Sequence, residues 1–295
     1  MLSIANHIGF SINQNSLQLV EVVRESARYC LGNVDEHIFD EEINFYSDET
    51  KLISSLQTAL EEISNRTPLK SSNISISFPI SKLIFFEIFY ESSLSKDALN
   101  NHIEWEFSVL FPELDAKNYL LRNISLHNTE KQNKMLVVAA PKKIVELLSS
   151  FAESNNFNLK YIDNSHYSSD STIILSDNKT TLSVYVDLPF VSLNSYVGKQ
   201  LNSTSILEVS NKSEQASKII SFIESNNIAY DKIYIASSVE VDELKLELEE
   251  RNINSIELVN PFEFIPISES FIQNANFINK TIPFSDSAGI CFRKF

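Results

Sequence analysis

Glycine is the residue in which this chain is poorest: there are 4 in 295 residues, Gly9, Gly32, Gly198 and Gly289. At an average usage of about 7%, a chain of this length would contain roughly 20. Serine and asparagine can replace glycine in turns, because their short polar side chains tolerate left-handed backbone. They cannot replace it where a backbone N–H group must touch a phosphate. The scarcity therefore argues against glycine-rich phosphate-binding loops.

Cysteine is nearly absent too, with only Cys30 and Cys291, far apart in the sequence. A disulfide between them stays open, but two lone thiols suit a reducing cytoplasm better than a secreted disulfide framework. The five histidines are isolated from one another and from the cysteines, so we predict no metal site.

The N-terminus lacks the basic and apolar runs of a signal peptide. No run approaches the roughly 18 apolar residues of a membrane span. We expect a soluble cytoplasmic protein.

Positive charge is also in short supply: 24 Lys and Arg face 39 Asp and Glu, which gives a net charge of −15. The acidic residues are scattered, as on a solvated surface. A nucleic-acid surface needs clustered Lys and Arg to displace counterions, and no basic stripe is present, so we exclude a nucleic-acid partner. Hydrophobic residues make up 43% of the chain, which is ordinary for a globular protein with a large core.

The hydrophobic patterning that is present describes an α/β protein. Apolar residues alternate around the polar turn Asn13–Ser16 and predict a β-hairpin over Ile8–Val22, with further alternating segments near Tyr29 and over His37–Phe39. Helices are predicted over Thr50–Arg66, from an N-cap at Ser95 to Leu110, and over Lys142–Asn155, Glu214–Ser225 and Val239–Arg251. Strands are predicted over Asn73–Phe78, Leu83–Tyr90, Tyr119–Leu126, Met135–Ala140, Leu159–Ile162, Thr172–Leu175, Thr181–Asp187, Phe190–Tyr196, Lys232–Ala236 and Ser255–Val259. A hairpin-led sheet with helices thus occurs twice, which indicates two related halves.

Five short blocks of the sequence resemble one family in order and spacing. They are the opening Ile8–Val22, the helix segment His102–Pro112 with its Trp-Glu pair, Leu136–Lys142 with its Ala-Ala-Pro-Lys step, the Asn-Pro-Phe-Glu of Asn260–Glu263, and the Ala-Gly-Ile of Ser287–Ile290. The family they resemble is PilM, the actin-like protein of type IV pilus assembly, with the cell-division protein FtsA as a more distant relative. Each block alone is weak, but together they span nearly the whole chain.

The resemblance implies an α/β, actin-like (ribonuclease H-like) fold of two domains, with a small inserted subdomain in the N-terminal half. Residues 1–80 and 134–165 would form a discontinuous first domain, and 81–133 an insert of the PilM and FtsA type. Residues 171–295 would form the second domain, joined to the first by the polar, aromatic segment His166–Asp170. The family's nucleoside-clasping subdomain would be truncated here to a loop over Val197–Asn211.

The resemblance also implies a nucleotide site between two phosphate-binding hairpins, and at the first hairpin this chain departs from the family's pattern. Ser11 stands where the family has Asp, Asn13 where it has Gly and Gln18 where it has Lys. Three such changes within a few residues remove the carboxylate, the close backbone approach and the cation that phosphate and Mg²⁺ need.

The second hairpin and the adenine turn depart from the pattern as well. An alignment on Thr181–Ser183 places the family's Asp and Gly on Ile174 and Ser176, unless a displaced carboxylate, Asp177 or Asp187, takes over. The adenine-binding Ser-Gly-Gly turn would fall on Ser237 and Ser238, whose Cβ atoms obstruct close backbone approach. We therefore interpret all these positions as remnants of a nucleotide pocket.

The resulting hypothesis is a non-catalytic pseudo-ATPase without a cofactor, a metal or catalytic residues. The resemblance implies a cytoplasmic adaptor of a type IV pilus or type II secretion-like machine, peripheral to the inner membrane. It would bind the cytoplasmic tail of a PilN-like bitopic protein in a groove between the first domain and the insert, without entering the membrane itself. Contacts to other pilus or secretion components, and self-association, stay open.

Two alternatives to the adaptor follow from the same resemblance. One is an active actin-like ATPase with divergent motifs, whose nucleotide state would switch pilus assembly. The other is an FtsA-like filament, which needs a C-terminal amphipathic anchor; the sequence ends at Phe295 directly after the last core segment, so we expect none. For the aromatic strand Phe85–Tyr90 and for Trp105 we expect positions in the core, with a partner groove as the less favoured reading of Trp105.

Overall fold

Three β-sheets form the framework of the protein, which is described by a computed structural model for residues 6–25, 28–45, 49–127, 133–226, 228–238, 241–263, 265–269, 271 and 281–293. The strands are β1 His7–Ile12, β2 Ser16–Glu25, β3 Arg28–Ile38, β4 Asn73–Phe78, β5 Ile84–Tyr90, β6 Tyr119–Ser125, β7 Asn133–Pro141, β8 Asn158–Asn164, β9 Thr180–Asp187, β10 Phe190–Val197, β11 Gln200–Glu208, β12 Lys232–Ser237 and β13 Ile256–Leu258. The helices are α1 Glu49–Arg66, α2 Lys96–Leu110, α3 Lys142–Ser154, α4 Ser165–Asp170, α5 Lys212–Asn226, α6 Asp242–Glu250 and α7 Ser285–Cys291.

The two five-stranded sheets have the same topology. The first has the strand order β3-β2-β1-β4-β8 and the second β11-β10-β9-β12-β13. In each sheet an antiparallel three-stranded meander leads, and two parallel strands follow along the edge of its first strand. Each parallel strand is reached through a helix, as a crossover between parallel strands requires. The predicted pair of related α/β halves is therefore confirmed.

The alternation of residues along the strands separates two faces of each sheet. In β1 the side chains of Ile8, Phe10 and Ile12 pack under α1 and α3. The alternate positions Gly9 and Ser11 face α7 instead. Side chains on a strand alternate between faces, so β1 turns aliphatic side chains to one face of the first sheet and small or polar positions to the other. Helix α7 covers the second of these faces, on which β2 adds the apolar Val20 and Val22.

The inserted subdomain consists of β5, α2, β6 and β7. Its sheet has the order β5-β7-β6 and is antiparallel throughout. Helix α2 begins at the predicted cap, where the Ser95 hydroxyl accepts a hydrogen bond from the N–H of Ala98 at 3.3 Å. Because β7 is the central strand, the insert extends to Pro141 and not to residue 133 as predicted.

Three segments differ from the sequence prediction. The expected linker at 166–170 is helix α4, and the side chains of residues 165–169 are buried. The expected strand over 172–175 is irregular. The expected loop within 197–211 contains β11, which pairs antiparallel with β10. Polar residues dominate 166–170 and 197–211, so hydrophobic periodicity carried no signal there. Residues 173–175 are apolar and predict a strand, but within the described residues they join no sheet.

Helices α4 and α7 cross between the two large sheets. Helix α7 lies near the end of the chain, yet it packs on β1, β2 and β4 of the first sheet. Ile265, Phe271 and Phe284 likewise pack on the first sheet against Val20 and Leu31. The C-terminal part of the predicted second domain therefore belongs to the first sheet and to the joint between the sheets.

Two of the four glycines permit this crossing. A Cβ atom on Gly9 would lie 1.9 Å from the carbonyl oxygen of Ser287, and one on Gly289 would lie 1.9 Å from that of Ser168. Both neighbours are backbone atoms and cannot rotate away. Gly9 and Gly289 thus serve helix packing. No helix in the described part of the chain is long and apolar enough to cross a membrane.

Candidate functional site

A buried carboxylate joins the first strands of the two hairpins. The Asp286 side chain on α7 accepts hydrogen bonds from the Ser11 hydroxyl on β1 at 2.5 Å and from the Tyr185 hydroxyl on β9 at 3.1 Å. Ser77 on β4 lies at 3.5 Å, and the N–H of Ser287 donates to the second oxygen at 2.9 Å. Burial raises the pKa of Asp286 to about 6, against the opposing effect of the Ser11 and Tyr185 hydrogen bonds.

A second carboxylate, Asp187, lies at the end of β9. The Ser238 hydroxyl donates a hydrogen bond to it at 3.1 Å, and Ser237 donates to the carbonyl oxygen of Val186 at 2.9 Å. Burial raises the pKa of Asp187 to about 6, Asp286 adds repulsion and Lys82 opposes the shift. Of the predicted positions, Ser11 and Ser238 therefore each donate to an acid, whereas Ser237 binds backbone.

The first hairpin turn is closed by its own side chains. The side-chain oxygen of Asn13, Oδ1, accepts hydrogen bonds from the backbone N–H groups of Asn15 and Ser16 at 2.8 and 2.7 Å. Gln18 is buried and donates to Glu36 at 2.9 Å. In this arrangement two N–H groups of the turn are already bound to Asn13, and Gln18 faces the neighbouring strand. Neither residue supplies a positive charge.

Ile174 and Ser176 lie elsewhere, and the alignment that placed them in the second hairpin is wrong. Both precede β9, and the Ile174 side chain is 61% exposed. The hairpin is formed by β9 and β10, and Phe190 pairs with Asp187 across the two-residue turn Leu188-Pro189. The carboxylate of the second hairpin is therefore Asp187. A turn signal, Asp-Leu-Pro between two alternating segments, marks this position in the sequence.

Sequence reasoning missed Asp286 and Tyr185 altogether. Asp286 is a lone acid in the small-residue segment Ser285–Gly289, and an acid among residues that pack tightly is a signal of a paired, buried charge. Tyr185 gives no such signal, because aromatic residues are common in strands. Its role depends on contact with α7, about a hundred residues away in sequence.

The chemistry available between the hairpins is that of hydroxyl groups around two acids. A phosphate placed there would meet the two carboxylates, and like charges at short range repel. No group of three or more His, Cys, Asp or Glu side chains in the described residues is arranged to hold a metal ion. Asp286 thus joins the two halves through side-chain hydrogen bonds, and Lys82 is the positive charge that acts on Asp187.

A groove of about 720 Å³ lies between the insert and the first sheet. Its lining is mostly apolar and includes Phe78, Leu83, Leu120, Ile124, Val138, Ala140, Val145, Leu159, Tyr161, Ile162 and Tyr167. Strand β6 contributes Leu120 and Ile124 from the face opposite α2. Leu120 is 40% exposed, so part of this apolar surface is accessible to solvent.

Two edge strands border the groove. Strand β6 is the edge of the three-stranded sheet, and β8 is the edge of the first five-stranded sheet. Edge strands present unpaired N–H and C=O groups, to which an extended peptide can add. At the rim Arg122 and Lys160 are exposed, and Arg293 lies 2.7 Å from Asp163. The groove therefore combines apolar walls, backbone edges and a rim with positive charge.

Comparisons with known proteins bear on this geometry. No protein-family model matches the sequence, and no curated protein matches it. Among solved structures, a chain of the PilM-PilN type IV pilus biogenesis complex superposes with a TM-score of 0.80 at 13% identity, covering 98% of each chain. The fold is actin-like, of the PilM type.

Two further structures share this PilM-type fold more distantly. A protein of unknown function with an actin-like ATPase fold, from Bacteroides thetaiotaomicron, has a TM-score of 0.55 at 11% identity and covers 88% of this chain and 92% of its own. The cytoplasmic domain of EpsL, an inner-membrane component of the type II secretion system of Vibrio cholerae, has 0.54 at 9%, covering 99% and 97%. The predicted fold class and the resemblance to PilM are confirmed at the level of the fold.

Proposed function

We propose that this chain is a non-catalytic scaffold of a type IV pilus or type II secretion-like machine. It would bind the cytoplasmic tail of a PilN-like inner-membrane protein and lie in the cytoplasm, held at the membrane by that partner. The observation that carries the proposal is the apolar groove between the insert and the first sheet, in a chain whose fold matches one from a PilM-PilN complex over 98% of its length.

The groove is suited to a short extended segment. Its two borders, β6 and β8, are edge strands, which can supply main-chain hydrogen bonds to a peptide. Its walls can accept apolar side chains, each worth about 1.5–3 kcal/mol when fully buried. A tail of a few apolar residues would therefore gain both affinity and a defined register.

A tail peptide provides the direct test. The probe is a fluorescein-labelled peptide of the N-terminal cytoplasmic segment of a PilN-like inner-membrane protein, and fluorescence anisotropy measures its Kd. Leu120→Asp places a charge on the wall of the groove, where desolvation of the carboxylate opposes binding. We expect the Kd to rise at least tenfold, which corresponds to about 1.4 kcal/mol.

The matched control is Leu246→Asp on α6. Leu246 is also a leucine on the surface, 60% exposed, and it lies in the second half of the chain away from the groove. This variant should bind the peptide as the parent does. Equal affinities of the Leu120 and Leu246 variants would remove the groove as the tail site.

The absence of catalysis is proposed from the residues of the two hairpins and of α7 between them. The first hairpin turn is closed by Asn13, and the space between the hairpins holds the hydrogen-bonded Asp286 carboxylate. Catalysis of phosphoryl transfer depends on groups that neutralise the charge of the phosphates. Here Gln18, which donates to Glu36, stands where the family has a lysine. The Asp286 carboxylate is already bound to the Ser11 and Tyr185 hydroxyls.

Calorimetric titration with ATP and with ADP, in the presence of Mg²⁺, tests this part of the proposal. We expect no heat of binding at high protein concentration, because two N–H groups of the first hairpin turn are already bound to Asn13 and Gln18 supplies no positive charge. A titration of the Asp286→Asn variant in parallel shows whether removal of one carboxylate restores binding. Micromolar affinity in the parent protein would contradict the non-catalytic scaffold and favour the nucleotide-switched ATPase.

A further inference from the structure

Helix α2 carries an exposed apolar surface on the side that faces away from its sheet. Trp105 is 59% exposed and Val109, one turn further along the helix, is 55% exposed. Leu110, at the end of α2, and Phe89, on the neighbouring edge strand β5, are 49% and 58% exposed. We call these four residues the α2 surface. Trp105 was predicted to lie in the core, so this expectation is wrong, and Phe89 departs from the predicted core strand in the same way.

The Trp105 ring is held in place although it is exposed. It stacks on the His102 imidazole with ring centroids 6.1 Å apart and an interplanar angle of 18°. His102 Nε2 lies 3.1 Å from the carbonyl oxygen of Phe89, to which it must donate its proton. The anchored imidazole restricts the indole, which reduces the entropy that ordering an aromatic side chain on binding would otherwise cost. The surface is therefore organised before a partner arrives.

The charges around the α2 surface are acidic. Asp97, Glu104 and Glu106 lie on α2, and Glu113 follows it, against one basic residue in the helix, Lys96. Within the described part of the chain, neither Glu104 nor Glu113 takes part in an ion pair. An exposed Trp beside uncompensated carboxylates is complementary to a surface that offers both apolar side chains and positive charge.

The α2 surface is separate from the groove. The buried face of α2, with Ile103 and Phe107, packs on one side of the three-stranded sheet. The groove is lined from the other side of that sheet by Ile124 and Val138. A segment bound at α2 would thus leave the groove free. The inference does not depend on the tail assignment made above.

We propose that the α2 surface binds a cationic amphipathic segment of a partner protein. Its apolar residues cover Trp105 and Val109, and its lysines or arginines pair with Glu104 and Glu113. A second copy of this chain is a poorer occupant, because a symmetric contact would bring two acidic surfaces together in a protein of net charge −15. An anionic lipid surface would be repelled for the same reason.

The chain contains one tryptophan, so its fluorescence reports directly on this surface. The probe is a synthetic 14-residue amphipathic helix with leucine on one face and lysine on the other; the same peptide with glutamate in place of lysine is its counterpart. Adding the lysine peptide should shift the Trp105 emission to the blue and protect the indole from acrylamide quenching. The glutamate peptide should do neither.

Two pairs of variants separate the apolar from the electrostatic contribution, with fluorescein-labelled lysine peptide and anisotropy as the readout. Trp105→Ala should raise the Kd at least fivefold, whereas Leu246→Ala, an exposed leucine on α6, should not. Glu104→Gln with Glu113→Gln should raise the Kd about threefold and flatten its salt dependence. Glu224→Gln with Glu243→Gln, two exposed helix glutamates of the second half, should leave both unchanged.

Any of the following three outcomes would overturn the proposal. If the Trp105 variant binds the lysine peptide like the parent, the contact is non-specific attraction to an acidic protein. A blue shift with vesicles of phosphatidylglycerol, or with neutral phosphatidylcholine vesicles, and none with the peptide would assign the surface to a membrane. Dimerisation at micromolar concentration in sedimentation experiments, lost in Trp105→Ala, would assign it to a second copy. Tail binding in the groove should be unchanged in Trp105→Ala, so failure of either proposal leaves the other measurable.

Discussion

Gly289→Ala is expected to abolish folding or to lower the free energy of unfolding by several kcal/mol. The added Cβ would lie 1.9 Å from the Ser168 carbonyl oxygen, so α4 and α7 could no longer cross at their present distance. Overpacking of a core costs typically about 1–3 kcal/mol. Here the cost is at the upper end or above, because the Cβ would collide with the backbone of α4, which cannot rotate away as a side chain can. Since total stability is about 5–15 kcal/mol for a typical domain, the loss would be a large part of it.

Urea unfolding followed by circular dichroism measures this effect. Gly9→Ala should behave alike, because its Cβ would lie 1.9 Å from the Ser287 carbonyl oxygen on the same helix. Ser150→Ala, at an exposed position of α3, is the control and should unfold at the parent's urea concentration. A Gly289 variant with the parent's unfolding midpoint would mean that α4 and α7 are not packed as described.

Asp286→Asn is expected to stabilise the protein relative to the parent, by an amount that grows as the pH rises. The folded-state pKa of Asp286 is about 6, above its ordinary value of 3.8. A carboxyl with a raised folded-state pKa contributes stability that is present below the unfolded-state pKa and is lost as the pH rises through the folded-state pKa. The loss falls between about pH 4 and pH 6. At about 1.4 kcal/mol per unit of pKa it amounts to roughly 3 kcal/mol.

Asparagine does not titrate, and it suits the same position. Its amide group can donate to the hydroxyls of Ser11 and Tyr185, which rotate to accept. The stability of the variant minus that of the parent should therefore rise by roughly 3 kcal/mol from pH 4 to pH 7. The measurement compares variant with parent because two histidines also titrate over this range. Burial lowers the pKa of His7 to about 4 and also lowers the pKa of His166, so both histidines make the folded protein more stable as the pH rises, opposite to Asp286.

Urea unfolding at a series of pH values gives that difference. Asp97→Asn, at an exposed position in α2, serves as the control and should give a difference that is nearly independent of pH. If the Asp286 variant and the parent show parallel pH profiles, then Asp286 is ionised as readily in the folded protein as in the unfolded one. The carboxylate would then not be buried between the two hairpins.

The elements of the fold could be predicted where hydrophobic periodicity is strong. The hairpin of β1 and β2, helix α1 over Glu49–Arg66 and the cap of α2 at Ser95 lie at or within a few residues of their predicted positions. Each depends on local physics: alternation in a strand, helical spacing, or a hydroxyl that caps an N-terminus. The order of these elements along the chain was enough to indicate two related halves.

Predictions failed where polar residues are buried by partners distant in sequence. Helix α4 reads as a polar linker, but its serines pack against α7, as Ser168 does at Gly289. Trp105 reads as core, yet the face of α2 that packs on the sheet is that of Ile103 and Phe107. The amphipathic pattern gives the period of a helix, but with apolar residues all round α2 it does not single out the buried face.

The candidate sites divide in the same way. From composition and local pattern alone came the shortage of glycine and the α/β class, because each is a property of residue type or of near neighbours. The missing lysine and aspartate of the first hairpin came from the resemblance to PilM. The pairing of Asp286 with Ser11 and Tyr185, the groove between β6 and β8 and the exposure of Trp105 became visible once the chain was folded. All three depend on which elements pack together, and those elements are separated by tens to hundreds of positions in the chain. Local sequence does not encode packing between such distant elements.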